Sequence, residues 1–351
     1  MRINQNDNPF SLSFGIEPTK YISRIAQTEK ILSSFTSTAA ENRVYMITGV
    51  RGSGKTVMMS NVASAFRDEK EWIVIELSPV KDMLQALASK LYNYRGMEKL
   101  FVDAKINLSA FGIGVSVEHT VPISDIDTAV ERMLEEIKKK NKKVIVLVDE
   151  TVNNEYIKIF ATSFQIYIRQ KYPIYLLMTG LYENIYELQN EKSLTFLYRA
   201  PKIYLEPLNL NAIANSYKET FNLSTEEAVG MAKLTKGYPF AYQVLGYLRW
   251  DAGKKAEISK LIPDFDQHLE EYVYEKIWSD LSDNDKKVVE LLALNGEMKI
   301  KDIRDVLGMK SGSMSVYRDR LIRKGLVDAS RYGYLSLILP RFAEIVERWV
   351  M

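Results

Sequence analysis

Gly49-Val50-Arg51-Gly52-Ser53-Gly54-Lys55-Thr56 matches G-x-x-x-x-G-K-[ST], a loop whose backbone N–H groups cradle phosphates. Before it, Arg43-Val44-Tyr45-Met46-Ile47-Thr48 reads as a buried, mostly apolar strand. After it, Thr56 to Phe66 carries Val57, Met58, Val62, Ala63 and Phe66 at helical spacing. Strand, glycine loop and helix form the context the motif needs, because loop N–H groups and a helix N-terminus then converge on one anion. In such a loop Lys55 reaches the β- and γ-phosphates as a point charge, and the Thr56 hydroxyl sits on Mg²⁺. The expected nucleotide-binding run is Gly49, Val50, Arg51, Gly52, Ser53, Gly54, Lys55, Thr56 and Val57.

A second signal lies downstream. Val144-Ile145-Val146-Leu147-Val148-Asp149-Glu150 is five aliphatic residues followed by two acids, the pattern of a strand buried on both faces with carboxylates at its tip. In a parallel sheet that tip lies where the phosphate loop ends. Asp149 is then expected to bind Mg²⁺ through water, and Glu150 to orient and polarise the attacking water. Pro173 to Gly180 reads as a further strand, whose Thr179 is placed to meet the γ-phosphate or that water. Lys202-Ile203-Tyr204-Leu205 is a short last strand, and Trp72 to Leu77 another. Arg199, just before the last strand, has two readings: stabilising transition-state charge, in its own subunit or a neighbour's, or capping the preceding helix.

Composition narrows the classes. A chain of 351 residues suggests two or three domains. Cysteine is absent, which excludes disulfides and thiolate metal sites, and His119 and His268 alone are too few for a zinc centre. No apolar run approaches the ~18 residues of a membrane helix, and the polar start Met1 to Asn8 predicts no secretory signal, hence a cytoplasmic protein. The net charge of +2 implies no nucleic acid by bulk electrostatics, so any such contact needs a local patch.

Along the chain, Asn8 to Thr19 reads as an extended arm and Ala26 to Phe35 as a helix. The alternation from Ala104 to His119, with Phe111-Gly112-Ile113-Gly114, predicts a β-hairpin. Asp125 to Lys140 is a strongly helical run; its terminal Lys138, Lys139 and Lys140 either complement the helix dipole or touch nucleic acid.

These strands and motifs resemble the AAA+ and STAND branch of P-loop ATPases, particularly prokaryotic relatives of origin-recognition ATPases. The resemblance covers most of the chain and is specific at residues 49–56 and 144–150. It implies an α/β core with a parallel five-stranded sheet (residues 1–206, including the arm), a small helical lid (207–278) and a C-terminal winged helix (279–351). It implies ATP and Mg²⁺ as ligands, with Tyr21 and Ile22 as a segment over the adenine and Arg24 near the nucleotide; an ordinary helix start is the alternative. Lys236-Gly237-Tyr238-Pro239-Phe240 is similar to the G-x-P segment by which STAND ATPases close their lid on adenine, which assigns Pro239 to the nucleotide. Gly-x-Pro is also a plain helix-start signal. Many AAA+ relatives carry an arginine at the start of this helix, and its absence here points to a slow switch rather than a processive motor.

The C-terminal segment predicts three helices, Ser282 to Leu294, Lys299 to Leu307 and Ser311 to Lys324. A wing follows, from Leu326-Val327-Asp328 and Tyr334 to Leu337. Such a domain resembles a winged helix, whose third helix enters the major groove. Between residues 310 and 331, six cations and two acids leave a local net charge of +4. Lys310, Ser313, Arg318, Arg323 and Arg331 are the expected contacts to double-stranded DNA, and three or four phosphate contacts imply a salt slope of about −3 to −4. Two rival readings are a signalling or scaffold ATPase of the STAND type whose winged helix binds protein rather than DNA, and a degenerate P-loop protein that binds nucleotide without hydrolysing it, against which Glu150 argues. Self-association or a protein partner is a further expectation.

Overall fold

The computed structural model describes residues 7–13, 18–37, 42–114, 120–253 and 256–351. They form two compact units. One comprises Arg24–Thr48 and Met58–Tyr204; the other comprises Gly49–Val57, Leu205–Met351 and the described residues before Arg24.

The first unit is an α/β layer structure. Its strands β1 (Val44–Thr48), β2 (Trp72–Leu77), β3 (Lys143–Val148), β4 (Ile174–Gly180) and β5 (Lys202–Tyr204) form a five-stranded sheet in the order β2-β3-β4-β1-β5. Every pairing is parallel. The order explains the sequence. β1 and β4 are buried at every position and β3 at all but its first, whereas the edge strands β2 and β5 expose residues on one face. Central strands covered by helices on both sides need unbroken aliphatic runs. Register pairs Thr48 with Gly180 and Val148 with Met178, so β1, β3 and β4 end together at one edge. The Gly49 loop continues directly from β1, and Asp149 from β3.

Helices start where short polar side chains cap them. Asp82 accepts from the Gln85 N–H at 2.9 Å, Asp125 from Thr128 at 2.7 Å and Asn154 from Ile157 at 3.0 Å. The hairpin expected between Ala104 and His119 is corrected for its described part: residues 109–111 form a single 3-10 turn, and residues 115–119, with His119, lie outside the described residues. The cause is Asn107. Its buried side-chain oxygen accepts from both the backbone N–H and the hydroxyl of Ser109, a local turn that competes with strand pairing. Ile106, Leu108 and Ile113 still face the core, so the alternation reported burial without reporting a strand.

The second unit is helical, with one small sheet. Helices Leu210–Phe221, Thr225–Thr235 and Pro239–Ala252 are followed by Ile258–Leu269, which runs through a π-turn at Glu270–Tyr274 into Glu275–Ser279. Then come Asp283–Asn295, β6 (Met298–Lys299), Ile300–Val306, Ser311–Arg323, β7 (Val327–Asp328), β8 (Tyr334–Leu337) and a terminal helix Phe342–Val350. β7 and β8 pair antiparallel as the wing, and β6 adds to the far side of β8. Three helices and this sheet make a winged helix, and one apolar core runs through it and the preceding helices.

The arm belongs to this second unit. Phe10 is 2% exposed among Tyr217, Phe221 and Tyr242, with ring centroids 6.0, 5.7 and 5.5 Å away. A Cβ at Gly246 would lie 2.5 Å from its ring, so glycine opens the seat. Gln243 fastens the arm twice: Ser11 N–H donates to its Oε1 at 3.0 Å, and its Nε2 donates to the Lys20 carbonyl at 2.7 Å. Truncating a buried aromatic in a packed seat costs roughly 3–5 kcal/mol. Phe10→Ala is therefore expected to lower the urea midpoint of the chain substantially; an unchanged midpoint by tryptophan fluorescence would show that the seat contributes nothing.

Candidate nucleotide-binding site

The phosphate loop leaves β1 and enters the helix Lys55–Arg67, which carries no acid in its first turn, so its N-terminus keeps its positive end. Gly52 and Gly54 have φ of +76° and +86°, left-handed conformations that bulkier residues adopt only at a cost. The Lys55 ammonium lies 3.0 Å from the carbonyl oxygens of both Gly49 and Val50. Ser53 N–H donates to the Val50 carbonyl at 3.2 Å. With these carbonyls engaged, the peptide planes are fixed and the opposed N–H groups are free to face an anion.

The same unit brings the lid to this loop. Lys236 and Gly237 end the preceding helix in left-handed conformations, with φ of 46° and 77°, and Pro239 opens the next at its first position. Between them Tyr238, 4% exposed, donates its hydroxyl to the Arg51 carbonyl at 2.5 Å. Burial pushes its pKa well above the ordinary tyrosine value, so the group stays a donor. Pro239 therefore fixes a helix start beside the loop, while the residue touching the loop is Tyr238, which the sequence reading passed over. The turn that follows the third helix of the winged helix also lies beside the loop: a Cβ built on Gly325 would lie 3.3 Å from the Val50 Cβ. Ile22 packs on the apolar core of this unit, and Tyr21 is more exposed.

In the sheet unit, Asp149, Glu150 and Thr179 form one cluster at the tips of β3 and β4. The buried Thr179 hydroxyl donates to Asp149 Oδ1. Glu150 N–H donates to Asp149 Oδ1 at 3.0 Å and to Thr179 Oγ1 at 3.3 Å. Thr151 N–H donates to the Thr179 carbonyl at 2.7 Å. Glu150 itself has φ +50°, an uncommon value for a residue with a side chain. Arg24 precedes the first helix, Ile25–Thr36, in this unit. Arg199 ends the short helix Thr195–Arg199 and is exposed.

In the winged helix, Lys310, Ser313 and Arg323 are exposed. Arg318 pairs with Asp319 at 2.8 Å; Arg331 pairs with Glu297 at 2.5 Å and lies 3.8 Å from the Tyr334 ring centre. Exposed pairs of this kind are worth about 0–1 kcal/mol and can be exchanged for phosphate. Arg320 differs: it binds the buried Asp285 at 2.8 Å and Ser282 Oγ at 2.7 Å, the two residues that cap helix Asp283–Asn295. One of the six cations counted in sequence is thus committed to holding the domain together.

The sequence from residue 26 to residue 230 matches the family described as an ATPase domain predominantly from Archaea. The chain belongs to this family. Membership makes ATP the nucleotide and its hydrolysis the chemistry of this archaeal-type ATPase. Residues 271–346 match a second family, described only as a domain of unknown function. No curated protein matches. Among solved structures, the chain is similar to the Aeropyrum pernix ORC2 protein in its ADPNP–ADP complexes, with a TM-score of 0.62 and 12% identity over 96% of both chains. The ADP form of that protein gives a TM-score of 0.50 and 14% identity, again over 96% of both. A Signal Transduction ATPase with Numerous Domains (STAND) protein from Pyrococcus horikoshii, with a tetratricopeptide repeat sensor, gives 0.40 and 15% over 99% of this chain and 44% of that one. No helix among the described residues is long and apolar enough to cross a membrane.

Proposed function

We propose that this ATPase is a slow molecular switch whose nucleotide state controls assembly and contact with double-stranded DNA through the winged helix. The observation that carries the reading is the hold on the phosphate loop by Tyr238, which donates to the Arg51 carbonyl, with the turn at Gly325 of the winged helix beside Val50. A route also continues inward. The Tyr238 ring stacks on Tyr274 in the π-turn at 6.5 Å, Tyr274 donates to the Pro340 carbonyl at 2.7 Å, and its ring meets Phe342 edge-on at 4.9 Å. Tyr238 thus links the phosphate loop to the lid and, through Tyr274, to the winged helix, a path along which nucleotide state can bias their arrangement.

The chemistry follows from the residues. Lys55 and the loop amides bind the phosphates, and Pro239, Tyr21, Ile22 and Arg24 flank the base. Thr56 would hold Mg²⁺ through its hydroxyl and Asp149 through water, hard oxygen donors suited to an ion that takes one or two protein ligands and fills its shell with phosphate and water. Bound there, Mg²⁺ would supply positive charge against that developing on the phosphates. Glu150 orients water for in-line attack, Thr179 holds Asp149, and Arg199 offers an exposed guanidinium for transition-state charge, in cis or from a neighbouring copy.

A test of the coupling measures duplex-DNA anisotropy and sedimentation with ATP and with ADP. Affinity or assembly state is expected to differ by severalfold, and identical values in both states would remove the coupling. One observation favours protein rather than DNA as the partner: Arg318, Arg320 and Arg331 are paired, while Val306, Val316 and Tyr332 on the same domain are exposed. Binding at physiological salt that is lost on neutralising Arg318 and Arg323 decides for DNA.

A further inference from the structure

We infer that Tyr238 is a positioning residue for the phosphate loop. Its hydroxyl fixes the Arg51–Gly52 peptide plane and so presets one N–H of the anion cradle. The inference rests on the loop being the phosphate site, and it assigns the lid a contact with the loop itself rather than with the base alone.

Three carbonyls of the loop are held in sequence. Lys55 takes those of Gly49 and Val50, and Tyr238 takes that of Arg51. The two holders differ in kind. A lysine that serves the β- and γ-phosphates must let go of the carbonyls when a nucleotide enters, whereas Tyr238 has no such second task. In a planar trans peptide the Gly52 N–H points opposite the Arg51 carbonyl. Fixing that carbonyl from the lid side therefore keeps the Gly52 N–H turned to the other side whether or not Lys55 has moved. The seat is tight. A Cβ on Gly52 would lie 2.2 Å from the Tyr238 hydroxyl oxygen and 3.1 Å from the Phe240 Cβ, so glycine here admits the tyrosine as well as the turn. The ring lies near-parallel to that of Tyr274, with centroids 6.5 Å apart. Preorganisation of this sort removes an ordering cost from binding, and among variants of one site most affinity differences appear in the release rate.

The test compares full-length wild type with Tyr238→Phe, which removes the hydroxyl and keeps the ring. Tyr217→Phe serves as control, since it deletes a buried tyrosine hydroxyl that donates to the Tyr242 carbonyl at 2.7 Å in the same unit. Binding and release of a fluorescent ADP analogue are followed by stopped flow, with melting temperature alongside. Tyr238→Phe is expected to weaken binding about three- to tenfold, the worth of one hydrogen bond. Most of that loss is expected as faster release, with Tyr217→Phe unchanged in affinity. Equal affinity for Tyr238→Phe and wild type overturns the proposal, as does an equal loss in both variants, which makes the effect one of general stability. Failure of wild type to bind the analogue at all indicts the phosphate-loop reading instead.

Discussion

Lys55→Ala is expected to abolish tight nucleotide binding while leaving the fold intact. Removing one partner of a charged contact costs about 2–5 kcal/mol, or on the order of 30- to 4,000-fold in Kd. The fold is expected to survive because the Gly49 and Val50 carbonyls that Lys55 bonds belong to partly exposed residues, where water can replace the ammonium. The two effects separate in one experiment. Saturating ADP at 100 times Kd raises wild-type stability by about 2.7 kcal/mol through mass action alone, and the variant is expected to gain no more than about 0.9 kcal/mol at the same concentration. Calorimetric titration then gives the affinity directly. Unaltered affinity in the variant would mean that the glycine loop is a structural turn and that the site lies elsewhere.

What was legible in the sequence follows the range of the forces involved. The central strands announced themselves because a parallel sheet covered on both faces tolerates almost no polar residue, so Val144 to Val148 and Ile174 to Met178 admit one reading. Helix starts were legible wherever a cap is a local bond, as at Ser282, whose hydroxyl and Asp285 close a reciprocal box. Reading failed where one signal has two causes. Ile106 and Leu108 alternate because both are buried, and only the side-chain bonds of Asn107 turn the segment away from a strand. It also failed where a partner is distant in sequence. Arg51 and Tyr238 are 187 positions apart, and nothing near Tyr238 marks its hydroxyl as bound to a loop. Charge counting found six cations near the third helix but could not see that Arg320 was already taken by Asp285.

Glu150→Gln is expected to slow ATP turnover by about 10²- to 10⁴-fold, the usual worth of a positioned acid or base, with ATP affinity changed no more than a fewfold. The backbone gives this substitution its interest. Glu150 stands at φ +50° immediately after the β3 tip, a conformation costing a residue with a Cβ roughly 1–2 kcal/mol. It is held there by its N–H bonds to Asp149 and Thr179, with Thr151 N–H tied to the Thr179 carbonyl. An exposed carboxylate gains nothing in stability from such an arrangement; strain retained at a strand tip is what a site keeps in order to aim a group. Glu150→Gly makes the point separately, since glycine accepts this φ freely. Its stability is expected to fall within about 1 kcal/mol of wild type or above it, with turnover as low as in Glu150→Gln. If phosphate release by malachite-green assay is the same in wild type and both variants, Glu150 has no part in hydrolysis, and the strain at this tip serves only the turn out of β3.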